Sequence, residues 1–359
     1  MKRRAATSMV GVLVLALLAS SCGGGGGISV TEIANAAARD VEPPPAVDVK
    51  RTGLPGLVIA TNSPSLRKLA GAPEGRGAVI LFVEPGGPSD GLGVGRGDLI
   101  FEIAGEKVTN HSRALALLHD RPGKKIDVKI RHRDGRERSL TIKPREPLVA
   151  SLRQYVNTLV DASPRDPILR FVRAQTPGVV ESRLSDLDKA LDIDRRFVEA
   201  LTLRASLIWD NRPTDEEDKD EEKRFVTEAL DGWKRALEVD PDNATTLTTR
   251  ATILSVLGEG RDSLRDATKA IDVDPSHPRA YYAKGVAEEA LRRPDRAAGP
   301  ARAAVELDPF NIQHWRLLAR IFTALKRKDD CRRTAAAFTA FLQARNFRED
   351  AATLRSLCR

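Results

Sequence analysis

The chain has 359 residues, 41% hydrophobic and 30% charged, an ordinary balance for a soluble protein and enough length to bury sizeable cores in two or three domains. Aromatic residues make up only 4% and the net charge of +8 is spread along the sequence, which argues against a nucleic-acid surface built from a basic stripe with stacking rings. Lys2, Arg3 and Arg4 supply part of that charge from a segment without acids, leaving a mildly basic remainder.

The start, "MKRRAATSMVGVLVLALLASSC", has a basic end, an apolar run near residues 9–18, then small residues and Cys22. The run is shorter than the ~20 residues a spanning helix needs, so it predicts an export signal that is removed. Ala19-Ser20-Ser21-Cys22 resembles the lipobox of bacterial lipoproteins, with Leu18 one place earlier than the usual Leu and Ala19 standing in its place. The resemblance implies a signal peptide over 1–21, a lipid on Cys22, and folded domains held outside the cytoplasm on a bacterial membrane. Ordinary secretion, with cleavage after a small residue, is the other reading. Residues 22–50 begin with a glycine run and end in "RDVEPPPAVDVK", a flexible and then extended linker.

From residue 51 to 146 the pattern is short apolar runs punctuated by glycine. "GLVIAT" (56–61), "GAVILFV" (77–83), "DLIFEIAG" (98–105), "KIDVKIRHR" (125–133) and "RSLTIK" (138–143) read as strands, the last two joined by an Asp134-Gly135 hairpin turn. "HSRALALLHD" (111–120) reads as a short helix capped by Asn110. Three motifs overlap between residues 82 and 108. Gly87-Pro88-Ser89-Asp90-Gly91 has the G-x-S-x-G form of a nucleophile elbow, which needs a strand, a sharp turn and a helix. Here a glycine-broken loop and another strand follow, and no His–acid pair accompanies Ser89. Arg96-Gly97-Asp98 reads as the turn that enters a strand. The alternating glycines lack the spacing of a dinucleotide loop.

Val83, Pro85-Gly86, Pro88, Gly93, Gly97-Asp98, Ile100, Gly105 and Val108 resemble a PDZ domain of the type carried by exported bacterial serine proteases of the high-temperature-requirement family. Ser89 and Leu92 stand where that family usually has Ala. The resemblance covers about ninety residues and implies a site where an extended peptide adds as a strand. The carboxylate loop would be Gly53, Leu54, Pro55, Gly56 and Leu57, the edge strand would continue through Val58 and Ile59, and the facing helix would offer His111, Ser112 and Leu115. Pro55 has no N–H, so the loop holds one donor fewer than the family's and internal peptide segments become candidate ligands beside free C-termini.

After Pro147 the strands stop and internal repetition takes over. "ALEVDP" ends at Pro241, "AIDVDP" at Pro275 and "AVELDP" at Pro309, a period of 34. An earlier copy, "ALDIDR", lies 12 residues further away than the period requires, which the acidic segment "PTDEEDKDEEKR" at 213–224 accounts for. That segment lacks the spaced ligands of a calcium loop and reads as a solvated loop. The period and the small residues Ala205, Ala251, Gly285 and Ala319 resemble tetratricopeptide repeats. They imply helical pairs at 198–241, 244–277, 278–311 and 312–345, a degenerate unit before them, and a capping helix near 347–358. Arg204, Arg250 and Lys284 share one first-helix position. They read either as a basic ladder for acidic peptides or as long stems covering apolar surface.

Cys331 and Cys358 are equidistant from a turn in "QARNF". Opposed across an antiparallel helix pair they would form a disulfide; separate buried thiols are the alternative. The five histidines are scattered, and HExxH, CxxC and phosphate-loop patterns are absent from the sequence, so neither enzyme, metal nor cofactor is expected. The expected fold is multidomain: a small β-rich α+β PDZ domain over 51–146, then an all-α tetratricopeptide solenoid over 150–359. The expected function is an anchored adaptor for protein or peptide partners, its two linked sites adding avidity. No nucleic acid or small-molecule substrate is expected. A structural part of an envelope assembly or secretion machine is the alternative, and a hydrolase using Ser89 a more remote one.

Overall fold

The computed structural model describes residues 57–119, 125–143, 149–176, 178–213, 219–344, 356 and 358. The signal segment, Cys22, the linker, Gly53 to Gly56 and most of the expected capping helix lie outside them.

The described strands are β1 (Leu57–Thr61), β2 (Ala78–Val83), β3 (Leu99–Ile103), β4 (Glu106–Lys107), β5 (Ile126–Arg131) and β6 (Glu137–Ile142). They form one antiparallel sheet in the order β1-β2-β3-β5-β6, with β4 pairing β3. Two helices accompany it. In α1 (Pro64–Ala70) the Ser63 hydroxyl accepts from the Leu66 amide at 3.1 Å, Pro64 sits at the first turn, and Gly71 at φ 68° ends the helix. In α2 (His111–His119) the Asn110 side chain accepts from the Arg113 amide at 2.8 Å. Gly97, at φ 92°, makes the turn into β3, and the Asp98 carboxylate accepts from the Gly95 amide at 2.8 Å to hold it.

β5 alternates buried and exposed residues, whereas every residue of β2 before Val83 is buried. The continuous run "AVILFV" reflects a sheet covered on both faces. Ala78 and Ile80 join Ile59, Ile100, Val128 and the α2 residues Ala114, Leu117 and Leu118 in one core. Val79, Leu81 and Phe82 point into another, with Ala60, Leu66, Ala70 and Leu99.

That second core is completed by helices. The chain continues through α3 (Val149–Ala162), α4 (Pro167–Gln175) and α5 (Val180–Ile193). Four helical pairs follow: α6 (Val198–Asp210) with α7 (Lys219–Val239), α8 (Ala244–Val256) with α9 (Gly260–Val273), α10 (Pro278–Ala290) with α11 (Pro294–Leu307), and α12 (Ile312–Ala324) with α13 (Lys328–Ala344). The small residues do what close helix approach demands: a Cβ on Gly285 would lie 2.9 Å from the Leu317 side chain, and one on Gly232 would lie 2.8 Å from the Ala205 Cβ. The acidic segment differs from its expected loop. Lys219–Arg224 form the first turns of α7, where Asp220, Glu221 and Glu222 meet the positive end of the helix dipole. Glu222 is buried and Arg212, stacked 3.8 Å from the Trp209 ring, lies 3.7 Å from it.

The recurring Asp has a single job. Asp194, Asp240, Asp274 and Asp308 each donate their backbone N–H to the carbonyl of the recurring Ala four residues earlier, ending the helix. Each carboxylate then accepts from the amide two residues on, at 2.9, 3.3, 3.1 and 3.2 Å, which closes the turn into the next pair. These four turns lie along one edge of the array. At its far end Cys331 of α13 and Cys358 form a disulfide with Cα atoms 5.4 Å apart, inside an apolar cluster with Trp315, Phe322 and Phe338.

The sheet domain is packed on the array and not merely tethered to it. Ala60, Leu66, Val79, Leu81 and Phe82 share a cluster with Val156, Val160, Ile168, Phe171, Leu187, Phe197 and Ala200. Phe82 meets the Tyr155 ring at 5.9 Å and Phe171 meets Phe197 at 5.1 Å. Avidity through a loose linker between two modules is therefore not the arrangement here. All three tryptophans, Trp209, Trp233 and Trp315, belong to the helical array. Phe82→Ala, a change in the sheet, should lower stability by about 3–5 kcal/mol and shift the urea transition followed by tryptophan fluorescence. An array transition that stays in place would show that the two parts fold independently.

Candidate functional site

Among the described strands β1 pairs only with β2, so its other edge carries backbone groups that no described strand takes up. α2 runs alongside and packs against β1, β2 and β3. The candidate groove lies between them. Leu57 and Ile59 point to the α2 side, joining the cluster that Leu115 packs against, while Val58 points to the array. Leu57, Val58, His111, Ser112 and Leu115 are half-buried and Ile59 is buried. Six of the expected peptide-binding residues fall within the described chain, all on β1 and α2, with Val58 turned to the array side.

One end of the groove is marked by a bond that sequence reasoning missed. The Thr61 hydroxyl lies 2.8 Å from His111 Nδ1 and accepts from the His111 amide at 3.3 Å. Loss of water and the nearby Arg279 guanidinium push the His111 imidazole down to about 4, so the ring is neutral at pH 7. A hydroxyl that accepts the amide proton has its own to give, which assigns Nδ1 as acceptor and leaves Nε2–H as a donor.

This end of the groove stands over the turn edge of the array. On the β1 side, Ser65 donates to the Arg196 carbonyl at 3.2 Å and Lys68 lies 3.8 Å from Asp194. On the α2 side, Thr109 donates to the Asp274 carboxylate at 3.0 Å and bonds to Ser276, and the Asn110 amide donates to Asp274. Arg113 donates to the Leu307 carbonyl at 2.8 Å. Arg96 pairs with Asp166, which caps α4. Asn110 thus caps α2 with its oxygen and ties it to the array with its nitrogen. The recurring Asp was the one sequence signal for these partners.

Arg204 donates to Asp188 of α5 at 2.6 Å and to Glu228 of α7 at 2.9 Å. Arg250 makes a two-pronged bond to Asp266 of α9, at 2.7 and 2.9 Å. Both guanidiniums thus bridge first helices to second helices, and Lys284 makes no ion pair or hydrogen bond among the described residues. Arg204 also lines a concavity of about 1060 Å³ between α5 and α7, where Asp188, Glu228, Arg224 and Arg235 mix both signs of charge. Ser89 is 1% exposed within a run of turns that leads into β3, so the strand–turn–helix of a nucleophile elbow is not formed. Among the described residues no group of three His, Cys, Asp or Glu side chains could hold a metal, and no helix is long and apolar enough to cross a membrane.

Residues 248–312 match the family model for tetratricopeptide repeats. A DnaJ homolog subfamily C member 7 homolog of Schizosaccharomyces pombe is 30% identical over 104 residues, 28% of this chain and 22% of that protein. The chain spans about a fifth of the length of the curated relatives it matches. A thermophilic tetratricopeptide protein of Thermus thermophilus superposes with TM-score 0.43 and 20% identity, over 49% of this chain and 90% of that one. The HtrA-type protease AlgW, solved with a decapeptide, superposes with TM-score 0.24 and 27% identity, over 26% of this chain and 28% of that one.

The seam between sheet domain and array also has a titratable group of its own. Loss of water pushes the Glu199 carboxyl up to about 7, against the pull of the Ser63 hydroxyl and with added repulsion from Asp240. The folded state then holds a proton that the unfolded chain, with the ordinary value of 4.5, has released. This contribution is fully present below 4.5 and is lost as the pH rises through 7. In urea titrations the advantage of Glu199→Gln over the parent should grow between pH 5 and pH 8 to on the order of 2–3 kcal/mol; an advantage that does not change with pH would mean that Glu199 is ionised throughout. The helical part of the chain is a stack of helical pairs in which residues 248–312 match tetratricopeptide repeats.

Proposed function

We propose that this protein is an exported, lipid-anchored adaptor: a PDZ-type sheet domain that adds extended peptides to β1, mounted on a repeat array that binds protein partners. The observation that carries the reading is the free edge of β1 beside α2. A peptide laid there gains main-chain hydrogen bonds from β1 and apolar contact with Leu57, Ile59 and Leu115, while His111 and Ser112 offer polar groups. The landmarks between Val83 and Val108 support the same reading by their resemblance to the modules of exported serine proteases. Tetratricopeptide arrays act in protein–protein interaction, which supports an adaptor over an enzyme. The anchor rests on the lipobox-like Ala19 to Cys22 and the glycine tether behind it.

The full chain, screened against peptides with free and amidated C-termini, should bind a subset with micromolar affinity. Leu115→Arg should weaken that binding at least tenfold while the helical circular dichroism stays unchanged. Undiminished binding by the variant would place the ligand elsewhere, on the array. In cells, Cys22→Ser should abolish incorporation of labelled palmitate and move the protein from the membrane fraction to the soluble one. A variant that stays membrane-bound would exclude a lipid at this position as the anchor.

A further inference from the structure

The groove has a continuation. The second residues of α6, α8, α10 and α12 are Glu199, Thr245, Arg279 and Gln313, one for each repeat at the same position. Helices repeated in register turn these side chains to one side of the array. That side faces the sheet domain: the Ser63 hydroxyl acts on the Glu199 carboxyl, and the Arg279 charge acts on His111. Polar atoms in this row are shielded and have no hydrogen-bond partner among the described residues, namely Glu199 Oε2, Thr245 Oγ1 and Gln313 Oε1. Buried polar groups are usually hydrogen-bonded, so a row of idle ones beside a groove points to a ligand that satisfies them.

The placement follows from the two attachments of the sheet domain. The chain leaving β1 rests on the turn before α6 through Ser65, and the start of α2 rests on the turn before α10 through Thr109 and Asn110. The groove end at Thr61 and His111 therefore opens over the first turns of α6, α8 and α10. Arg279 stands there. It is half-buried, and among the described residues its guanidinium makes neither an ion pair nor a hydrogen bond. Arg204, Arg250 and Arg320, on other first-helix positions, all have carboxylate partners. The acids that act on Arg279 at longer range are Asp308 and Asp210, with Tyr282 beside them. A desolvated cation held within reach of acids but bonded to none is prepared for a carboxylate from outside.

We propose that a peptide held on β1 runs on past Thr61 and His111 onto this row, and that Arg279 selects an acidic side chain in the part that leaves the groove. The ligand class is thus an extended segment with apolar residues on β1 and an Asp or Glu upstream of them. This rests on the peptide-binding reading of β1. Because Arg279 belongs to the array and the strand edge to the sheet domain, neither part alone would show the preference.

The test uses the full chain and a library of eight-residue peptides with free C-termini. The tightest binder is remade with Asp or Asn at each upstream position, and affinities are read by fluorescence anisotropy. At one position Asp should bind about tenfold tighter than Asn. Arg279→Gln should erase that ratio, Arg279→Lys should restore most of it, and both variants should keep their affinity for the Asn peptide, which also shows that they fold. An Asp preference that survives in Arg279→Gln, or the absence of any preference in a parent protein that does bind peptides, would overturn the role of Arg279 and leave peptide addition to β1 standing. If no peptide binds the parent protein, both readings fall.

Discussion

The second apolar face of the sheet governs this molecule. Val79, Leu81, Phe82 and Leu66 have no partner within the sheet domain that covers them fully; Val156, Ile168, Phe171 and Phe197 of the array do so. A sheet with helices on one face and water on the other would alternate along β2. Instead β2 is apolar throughout, and the cost of exposing it joins the two parts into one body. At about 25 cal/mol for each square ångström of apolar surface removed from water, a seam with three phenylalanines and several aliphatic side chains outweighs the surface ion pairs that border it, each worth ~0–1 kcal/mol.

Once that face is docked, its polar border fixes the orientation. Asn110, Thr109, Arg113, Ser65 and Arg96 each find a backbone or carboxylate partner on the array. Such directional bonds contribute little net stability, but leaving one unmade in a buried seam is costly. They therefore act as register marks. The mark at Asp274 is economical in residues: its carboxylate closes the turn between α9 and α10 and also receives Thr109 and Asn110. The same Asp in the other repeats performs the turn function alone or, at Asp194, meets Lys68 loosely. One element of the repeat code thus becomes a docking point wherever the sheet domain reaches it.

A rigid mount changes what the edge of β1 can do as the proposed peptide site. On a flexible tether, β1 would sample many orientations and the array would act only through local concentration. Here the groove end and the first-helix row are held at a fixed distance, so specificity can be shared between them without an ordering penalty at the moment of binding. The neutral state of His111 belongs to the same arrangement. The loss of water and the positive charge that keep it unprotonated come from being set against Arg279 at the seam.

Much of the architecture was legible along the chain because its causes are local. Gly97 and Asp98 make the turn into β3, Asn110 caps α2, and the Ala and Asp of each repeat end a helix and start a turn within six residues. Helix α1 was open to the same reading through Ser63, Pro64 and Gly71, although it is too short to show a hydrophobic period. The acidic segment misled because its charge suggests a loop, while acids are also favoured at a helix N-terminus. What no local pattern carries is the partner of a face. The run "AVILFV" announces two-sided burial without saying against what, and Arg279 resembles any arginine in a first turn. Which helices cover β2, and that Arg279 acts on His111 with no carboxylate bonded to it among the described residues, depend on how the repeats stack and where the docked sheet comes to rest. Those are sums over many small rotations, and only the tertiary structure decides them.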